Sequence, residues 1–279
     1  MTAAVGSHAG RRRAILIAMK LFAHPHHPAA AVLAVLLAIA CPPASAQADP
    51  RDDFIAGRIR ECPGCDLSGV SFKRRDLSRA NLAGARLKEA NFHEARLTGA
   101  KLANADLTNA NLNKANLSRA DMTGATLAGA MLYGAILDAA KLNGANFSDA
   151  LMGTARLLRC DLSGAHLREA DMRKTRLDEA VLTGADLTGA ALDQAMLRDA
   201  RLDGAMLAET RLMGADLSGA KLTGANLADA DALHANLRGA DLTGANLAAT
   251  NLRQANLYEA KLDGATYRAT IMPDGTTEP

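Results

Sequence analysis

Side chains that could carry out catalysis or bind a metal are few in this chain and stand far apart. After residue 46, the histidines are His93, His166 and His234. A catalytic trio needs an acid, a base and a nucleophile within hydrogen-bond reach of one another, and no such trio can be assembled from these residues. The sequence also contains no glycine-rich phosphate loop. It therefore predicts that the protein is not an enzyme and binds no cofactor or metal.

The cysteines offer a narrower chemistry, since Cys62-Pro-Gly-Cys65 has the spacing of redox and zinc motifs. No βαβ pattern surrounds it, which disfavours thioredoxin-like activity, and the second pair of ligands that a metal site needs is missing. In an oxidising compartment we expect a disulfide between Cys62 and Cys65. The alternative is two small buried thiols. Cys160 is expected to be a buried free thiol.

The elements that would position any site follow from one pattern, an apolar residue at every fifth position from Leu67 to Leu262. Of these 40 pentad centres 33 are Leu, and two positions before the centre 33 of 40 residues are Ala. An α-helix would scatter the centres around its whole surface, and a straight strand would place successive centres on opposite faces. The pattern requires a chain that turns once per pentad, so that four pentads close a square.

The remaining pentad positions carry turn signals. Asn or Asp precedes the centre in 20 of 40 pentads, and these side chains can hydrogen-bond their own backbone in turns. Glycine two residues after the centre concentrates at every twentieth residue from Gly84 to Gly264, with Asn104 as the one departure. This side is expected to form type II turns, which need a positive φ. The sides with charged residues at this position are expected to use another turn.

Segments such as Ala105-Asp-Leu-Thr-Asn and Ala185-Asp-Leu-Thr-Gly resemble the A-(D/N)-L-x-x repeat of the pentapeptide-repeat family. The resemblance implies an all-β fold, a right-handed quadrilateral β-helix with about ten coils of twenty residues. We expect this β-helix to span 62–272, between a cap at 47–61 and a tail at 273–279. Residues twenty apart would then stack, which predicts a ladder of alternating charge at four positions: Lys101, Asp121, Lys141 and Asp161.

Residues 1–46 have the features of a cleaved secretory signal. Basic residues within 11–20 precede an apolar run at 29–40, and Ala44-Ser45-Ala46 forms a small-residue cleavage site. The apolar run is too short to span a membrane. We expect export to the periplasm or the extracellular space after cleavage near Ala46. The open alternative is a lipoprotein acylated at Cys41.

Departures from the repeat make local predictions. Arg75 at an Ala position is expected to mark incomplete closure of the first coil. Ala232 replaces a Leu and Leu233 follows it, so we expect a local void or a pentad slipped by one residue. Threonine replaces Ala at similar volume, and its buried hydroxyl should bond a nearby carbonyl, since an unpaired one costs about 1–3 kcal/mol. Threonine replaces Ala at three such positions: Thr175, Thr210 and Thr250.

Charge disfavours nucleic acid as a partner and disfavours DNA mimicry. After residue 46 the chain holds 28 Lys and Arg against 30 Asp and Glu, so it offers neither a basic patch nor an extended acidic surface. The leading hypothesis is a non-enzymatic exported rod for protein interaction or scaffolding, without membrane contact apart from export. Its partner and oligomeric state are not predicted. The alternatives are a DNA mimic that binds a topoisomerase, as some family members do, and an envelope structural protein anchored at Cys41.

The candidate partner site is where outward positions turn apolar on two adjacent sides. This patch consists of Met131, Tyr133, Ile136, Leu151 and Leu158. A contiguous apolar patch with a tyrosine and a basic rim, here Arg156 and Arg159, is typical of protein contact surfaces. The alternative is a set of scattered apolar residues without consequence. A weaker second candidate is formed by two residues stacked twenty apart, Met213 and Leu233.

Overall fold

A computed structural model describes residues 49–278 as one short helix followed by a four-sided parallel β-solenoid. Helix α1 spans Pro50–Ile55. From Glu61 to Ile271, isolated parallel bridges join residues twenty positions apart, the first between Glu61 and Asn81 and the last between Asn251 and Ile271. This register confirms the expected twenty-residue coil. The segment predicted to direct export lies outside the described residues.

Each pentad repeats one local geometry, which is seen clearly around Leu102. The residue before the centre forms the bridge, and Lys101 pairs with Asp121 as the stacking predicts. The N–H of Leu102 donates to the carbonyl of Asp121 at 2.6 Å, and the N–H of Ala105 closes the turn on the carbonyl of Leu102 at 3.0 Å. Asp121 also caps its own turn, because its Oδ1 accepts from the N–H of Thr123 at 3.2 Å. Each pentad is thus bonded both within itself and to the neighbouring coils.

The turns contradict one expectation from the sequence. A positive φ occurs two residues after every centre from Cys62 to Tyr267, on charged residues such as Arg119 (58°) as well as on glycines such as Gly184 (64°). A positive φ confined to the third residue of the turn is the signature of type II. The prediction of another turn on the sides without glycine is wrong, because the stacking register imposes one backbone path on all four sides. The inter-coil hydrogen bonds outweigh the roughly 1–2 kcal/mol that this conformation costs an L residue.

The core is a column of Leu and Ala side chains inside the solenoid. Every centre from Leu77 to Leu252 is buried, as are the Ala positions between them. Burying one Leu side chain is worth about 1.5–3 kcal/mol, so stability is distributed along the column. Cys160 lies in this core as the predicted free thiol. Its burial raises the pKa of the thiol, which keeps it protonated and unreactive.

The N-terminal end of the column is covered by α1, which lies within the predicted cap at 47–61. Asp49 is the N-cap residue of this helix, and its side chain accepts a backbone N–H from the first turn at 2.9 Å. Phe54 on α1 is 1% exposed and meets the ring of Phe72 edge-on, with 5.8 Å between the ring centroids. Phe72 in turn stacks on Phe92 at 5.2 Å. Three aromatic layers therefore seal this end.

Arg75 joins the cap to the first coil. Its Nη1 donates to the carbonyl of Ile55 at 2.5 Å, and its guanidinium lies 5.7 Å from the centroid of the Phe72 ring. The bridges on either side of Arg75, at Ser71 and Asp76, are both formed. The expected incomplete closure is therefore wrong, because the long side chain reaches out of the core position to bond α1.

A disulfide between Cys62 and Cys65 clamps the first turn of the solenoid. The two Cα atoms lie 5.4 Å apart. The cysteines are the first and last residues of one turn, in which the N–H of Cys65 donates to the carbonyl of Cys62 at 3.3 Å. Cys62 is buried, whereas Cys65 is only partly buried. The bond therefore reinforces the point at which the cap meets the first coil.

The buried threonines bond carbonyls inside the core, which confirms the expectation for their hydroxyls. Thr175 Oγ1 donates to the carbonyl of Met172 in its own turn at 2.7 Å. Thr250 Oγ1 donates to the carbonyl of Leu227 in the preceding coil at 2.7 Å, and Thr210 makes the equivalent bond at 3.1 Å. Thr210 and Thr250 therefore link neighbouring coils through the interior, whereas Thr175 reinforces its own turn.

Ala232 keeps the centre position of its pentad and Leu233 points outward. Ala232 is buried, and its N–H donates to the carbonyl of Asn251 at 2.8 Å, as in a regular pentad. The slipped pentad is therefore wrong. The core at this layer contains an Ala side chain where the other layers contain a larger one.

Replacing Ala232 with Leu is expected to leave the free energy of unfolding unchanged or to raise it by up to about 1.5–3 kcal/mol, the value of burying a Leu side chain. Chemical denaturation checks this. The matched control is Ala230→Leu, at an Ala position of the same coil, which should destabilise by about 1–3 kcal/mol through overpacking. A clear loss of stability in Ala232→Leu would show that this layer has no spare volume.

The C-terminal end of the solenoid is less covered than the N-terminal end. Leu257, Leu262 and Tyr267 are only partly buried. The tail folds back through an antiparallel bridge between Ile271 and Thr277. Among the described residues, the N–H groups of Leu257 and Leu262 have no backbone acceptor. This end therefore presents an unpaired edge.

Candidate interaction site

The predicted apolar patch is divided between two sides of the solenoid. On one side, which we call the tyrosine side (residues 131–134, 151–154 and 171–174), are Met131, Tyr133 and Leu151. On the next side, which we call the arginine side (residues 136–139, 156–159 and 176–179), are Ile136 and Leu158. A cavity of about 460 Å³ is lined by the first three residues, and a separate groove of about 750 Å³ is lined by Leu158 but not by Ile136.

The tyrosine side carries two of the most exposed large apolar side chains of residues 49–278. Tyr133 is 56% exposed and Leu151 is 50% exposed. Leu151 is bridged to Met131 in the preceding coil, and Met131 lies two residues before Tyr133. The three side chains therefore form one cluster, which fits the predicted contact surface on this side.

Gly153 produces the cavity between these residues. It is the one glycine among residues 49–278 without a positive φ, so the backbone does not require glycine at this position. It is also the only glycine that directly follows a pentad centre. A Cβ at Gly153 would lie 3.5 Å from Cδ2 of Tyr133, which is ordinary contact. The missing side chain therefore opens a recess, the Gly153 notch, bounded by Met131, Tyr133, Leu151, Asp171, Arg173 and Lys174.

One rim of the Gly153 notch is charged. Arg173 holds Asp171 with two hydrogen bonds, Nε to Oδ1 at 2.8 Å and Nη2 to Oδ2 at 2.5 Å. These bonds lower the pKa of Asp171 and raise that of Arg173, so the pair stays ionised and is neutral as a whole. Lys174 has no carboxylate within 4.0 Å among the described residues. The notch therefore combines an apolar wall with a net positive rim.

The groove on the arginine side is ionic rather than apolar. Arg156, expected at the edge of the patch, donates from Nε to Asp138 at 2.8 Å. Arg159 donates from Nε to Glu179 at 2.9 Å. Leu158 lies between these pairs and is partly buried. The expected basic rim is therefore wrong for these two arginines, because carboxylates in the stacked coils neutralise both.

The sequence analysis missed Gly153, Arg173 and Lys174. The sequence does contain a signal for these residues. Tyr133, Gly153 and Arg173 are spaced twenty positions apart, so they stack in three successive coils. Apolar character identifies side chains that protrude from the surface. It does not identify a recess, which forms where glycine lacks a side chain.

The weaker candidate pair also lies on adjacent coils. Met213 is 44% exposed, whereas Leu233 is only partly exposed. The carbonyl of Leu233 accepts from the N–H of Gly214 at 2.9 Å, which places the two coils in register. The pair offers less exposed apolar surface than the tyrosine side.

Within residues 49–278, the structure contains no group of three or more His, Cys, Asp or Glu side chains that could hold a metal ion. Among the three described histidines, His93 has an acidic neighbour, since its Nε2 lies 3.4 Å from Oε1 of Glu94. No helix in this part of the chain has the length and apolar character for crossing a membrane. Its surface chemistry is therefore that of ion pairs, turn-capping groups and the Gly153 notch.

Comparison with known proteins agrees with this fold. A family described as pentapeptide repeats matches in eight copies, with segments at 65–104, 100–138, 160–199, 175–212, 195–231, 210–247 and 235–266. HetL, a pentapeptide repeat protein involved in heterocyst differentiation regulation from the cyanobacterium Nostoc sp. Strain PCC 7120, is 34% identical. The match covers 81% of this chain and 97% of HetL, with a TM-score of 0.59. QnrB1, a plasmid-mediated fluoroquinolone resistance protein, is 20% identical over 73% of this chain and 89% of its own, with a TM-score of 0.42. No curated protein matches the chain significantly.

Proposed function

The chain belongs to the pentapeptide-repeat family, whose members form right-handed quadrilateral β-helices, and we propose that it is an exported interaction rod of about ten coils. Proteins of this family are generally structural or interaction proteins rather than catalysts. Export is supported by the basic, apolar and small-residue segments of 1–46. The rod acts by presenting its outer surface to a protein partner, without catalysis.

The Gly153 notch is the observation that carries this proposal. Its volume of about 460 Å³ falls within the roughly 300–1,000 Å³ of ligand pockets in proteins, so it can accept one or two side chains of a partner. Tyrosine, methionine and arginine are enriched at protein interfaces, and all three surround this notch. A glycine that the backbone does not need, placed between an exposed tyrosine and a cationic rim, is consistent with a docking point.

The test is capture of the partner with single variants on the two sides. Leu151→Asp places a charge in the wall of the notch and is expected to abolish capture of proteins from the cell envelope. Leu158→Asp is the matched control, because it makes the same change on the arginine side and should leave capture intact. Both residues point outward, so circular dichroism and thermal unfolding should be unchanged. Equal capture by the Leu151→Asp variant would exclude the notch as the docking point.

Export is tested separately by sequencing the N-terminus of the protein purified from fractionated cells. A chain that begins at Gln47 in the periplasmic or extracellular fraction is the expected result. A chain acylated at Cys41 would indicate an anchored envelope protein. An intact chain in the cytoplasm would contradict export and favour DNA mimicry.

A further inference from the structure

Tyr258 is the most exposed large apolar side chain among residues 49–278, at 63%. It directly follows the centre Leu257, on the arginine side extended to the last coil. Arg238 contacts it, since the guanidinium lies 5.4 Å from the centroid of the tyrosine ring. The rest of the ring is open to solvent, which is unusual for an aromatic side chain on a surface that is otherwise polar.

The position of Tyr258 lets it reach into another molecule. Among the described residues no further coil pairs with Leu257, whose N–H has no backbone acceptor. Within residues 49–278, the ring therefore lies at the edge of the solenoid, because its pentad is bridged to the preceding coil and to no following one. A protruding ring at the end of one rod can enter a recess on the side of another.

Charges next to the ring and next to the notch are complementary. Glu259 follows Tyr258 and lies 3.7 Å from Nη2 of Arg238, as an exposed and weak pair. Lys174 at the rim of the notch has no carboxylate within 4.0 Å in the described part of the chain. A segment with an aromatic ring followed by a carboxylate therefore matches a recess with an apolar wall and a free cation.

We propose that the occupant of the Gly153 notch is a second copy of this chain, which inserts Tyr258 beside Tyr133 and Leu151 and brings Glu259 to Lys174. This inference rests on the proposed role of the notch as a docking point. The two contact surfaces lie on different sides of the rod, which face different directions, so two copies cannot make both contacts with each other. Copies therefore add one after another in an open series rather than forming a closed dimer.

The contact is small. A standard interface buries about 800 Å² on each partner, and one inserted side chain with one ion pair covers less than this. Association is therefore expected to be weak and to depend on concentration and on salt. Analytical ultracentrifugation of the purified protein over a wide concentration range should show an average mass that rises steadily, without a plateau at two copies.

Two variants test the notch and the inserted ring independently. Gly153→Leu fills the notch and is compatible with the backbone, since φ is not positive and the added Cβ makes ordinary contact. Tyr258→Ser removes the inserted ring. Each variant alone should be a monomer, whereas an equimolar mixture should form a heterodimer and nothing larger. In that mixture, Tyr258 of the Gly153→Leu chain enters the intact notch of the Tyr258→Ser chain.

A charge exchange tests the pairing of Lys174 with Glu259. Lys174→Glu and Glu259→Lys should each weaken association, and the protein with both changes should associate as the wild type does. Lys174 has a positive φ of 58°, and glutamate occupies the equivalent turn position at Glu169 and Glu179, so the exchange is compatible with the fold. Leu158→Asp is the control on the arginine side and should associate like the wild type.

A wild-type protein that stays monomeric at every concentration would overturn the proposal, as would Gly153→Leu and Tyr258→Ser variants that both associate normally. A mixture of these variants that remains monomeric would also overturn it. These outcomes do not decide the proposed function. If self-association is absent but Leu151→Asp still loses a captured protein, the notch docks a different partner.

Discussion

Replacing Phe72 with alanine is expected to lower the free energy of unfolding by about 3–5 kcal/mol, the range for removing a buried aromatic side chain. Phe72 is fully buried and lies between Phe54 of α1 and Phe92 of the next coil. The substitution removes one large side chain and both aromatic contacts, each worth about 0.5–1.5 kcal/mol beyond burial. It also removes the surface on which α1 rests, so the N-terminal end should open first.

Hydrogen exchange combined with chemical denaturation measures this effect and its location. Exchange in Phe72→Ala should rise in the first coils, near residues 61–80, and remain slow at mid-rod, since each coil contacts only its neighbours. Phe147→Ala is the matched control, because Phe147 is equally buried and has no aromatic partner among the described residues. Its exchange should rise around residue 147 instead. Unchanged exchange at the N-terminal coils of Phe72→Ala would contradict the role of the aromatic layers.

Replacing Leu167 with alanine is expected to cost about 2–5 kcal/mol by the cavity rule for buried Leu. Leu167 is fully buried, and its coil is bonded to the coils on both sides, for example through its N–H to the carbonyl of Asp186 at 2.6 Å. The backbone cannot collapse into the space that the side chain leaves, because these bonds hold the spacing between coils. The cavity should therefore remain open.

Denaturant unfolding of Leu167→Ala checks this loss, with Leu257→Ala as the control. Leu257 has the same side chain at a centre position but is only partly buried at the C-terminal end. Its substitution should therefore cost clearly less. Equal losses for the two variants would show that the open end is as tightly packed as mid-rod.

The core of this fold could be predicted from the sequence because its period leaves few alternatives. Once the chain turns at every pentad, the side chain of a centre such as Leu167 must point into the core. The buried hydroxyl of Thr250 must then bond a backbone carbonyl, because carbonyls are the acceptors available there. The turns were not predictable from residue preference, because a positive φ at Arg119 is unfavourable on its own. It is imposed by hydrogen bonds to residues twenty positions away, which local preference does not include.

The candidate site was predictable only in part for a related reason. Apolar character identified Tyr133 and Leu151, and exposure in the structure agrees with both. Leu158 was grouped with them as an outward apolar residue on the adjacent side, yet it lies there between two ion pairs. Whether Arg159 is free depends on the residue stacked against it, which is Glu179. Contacts on this surface are therefore set by position within the coil rather than by distance along the chain.

Because the chain turns after every fifth residue, the side of the solenoid on which a residue lies depends on the number of pentads that precede it. Loss of twenty residues between Gly153 and Tyr258 would shorten the rod by one coil, about 4.8 Å, and keep Tyr258 on the same side. Loss of five would rotate Tyr258 by a quarter turn, onto the tyrosine side, without exposing one core leucine. Gains and losses of single pentads during evolution can therefore reorient binding surfaces while the core is preserved.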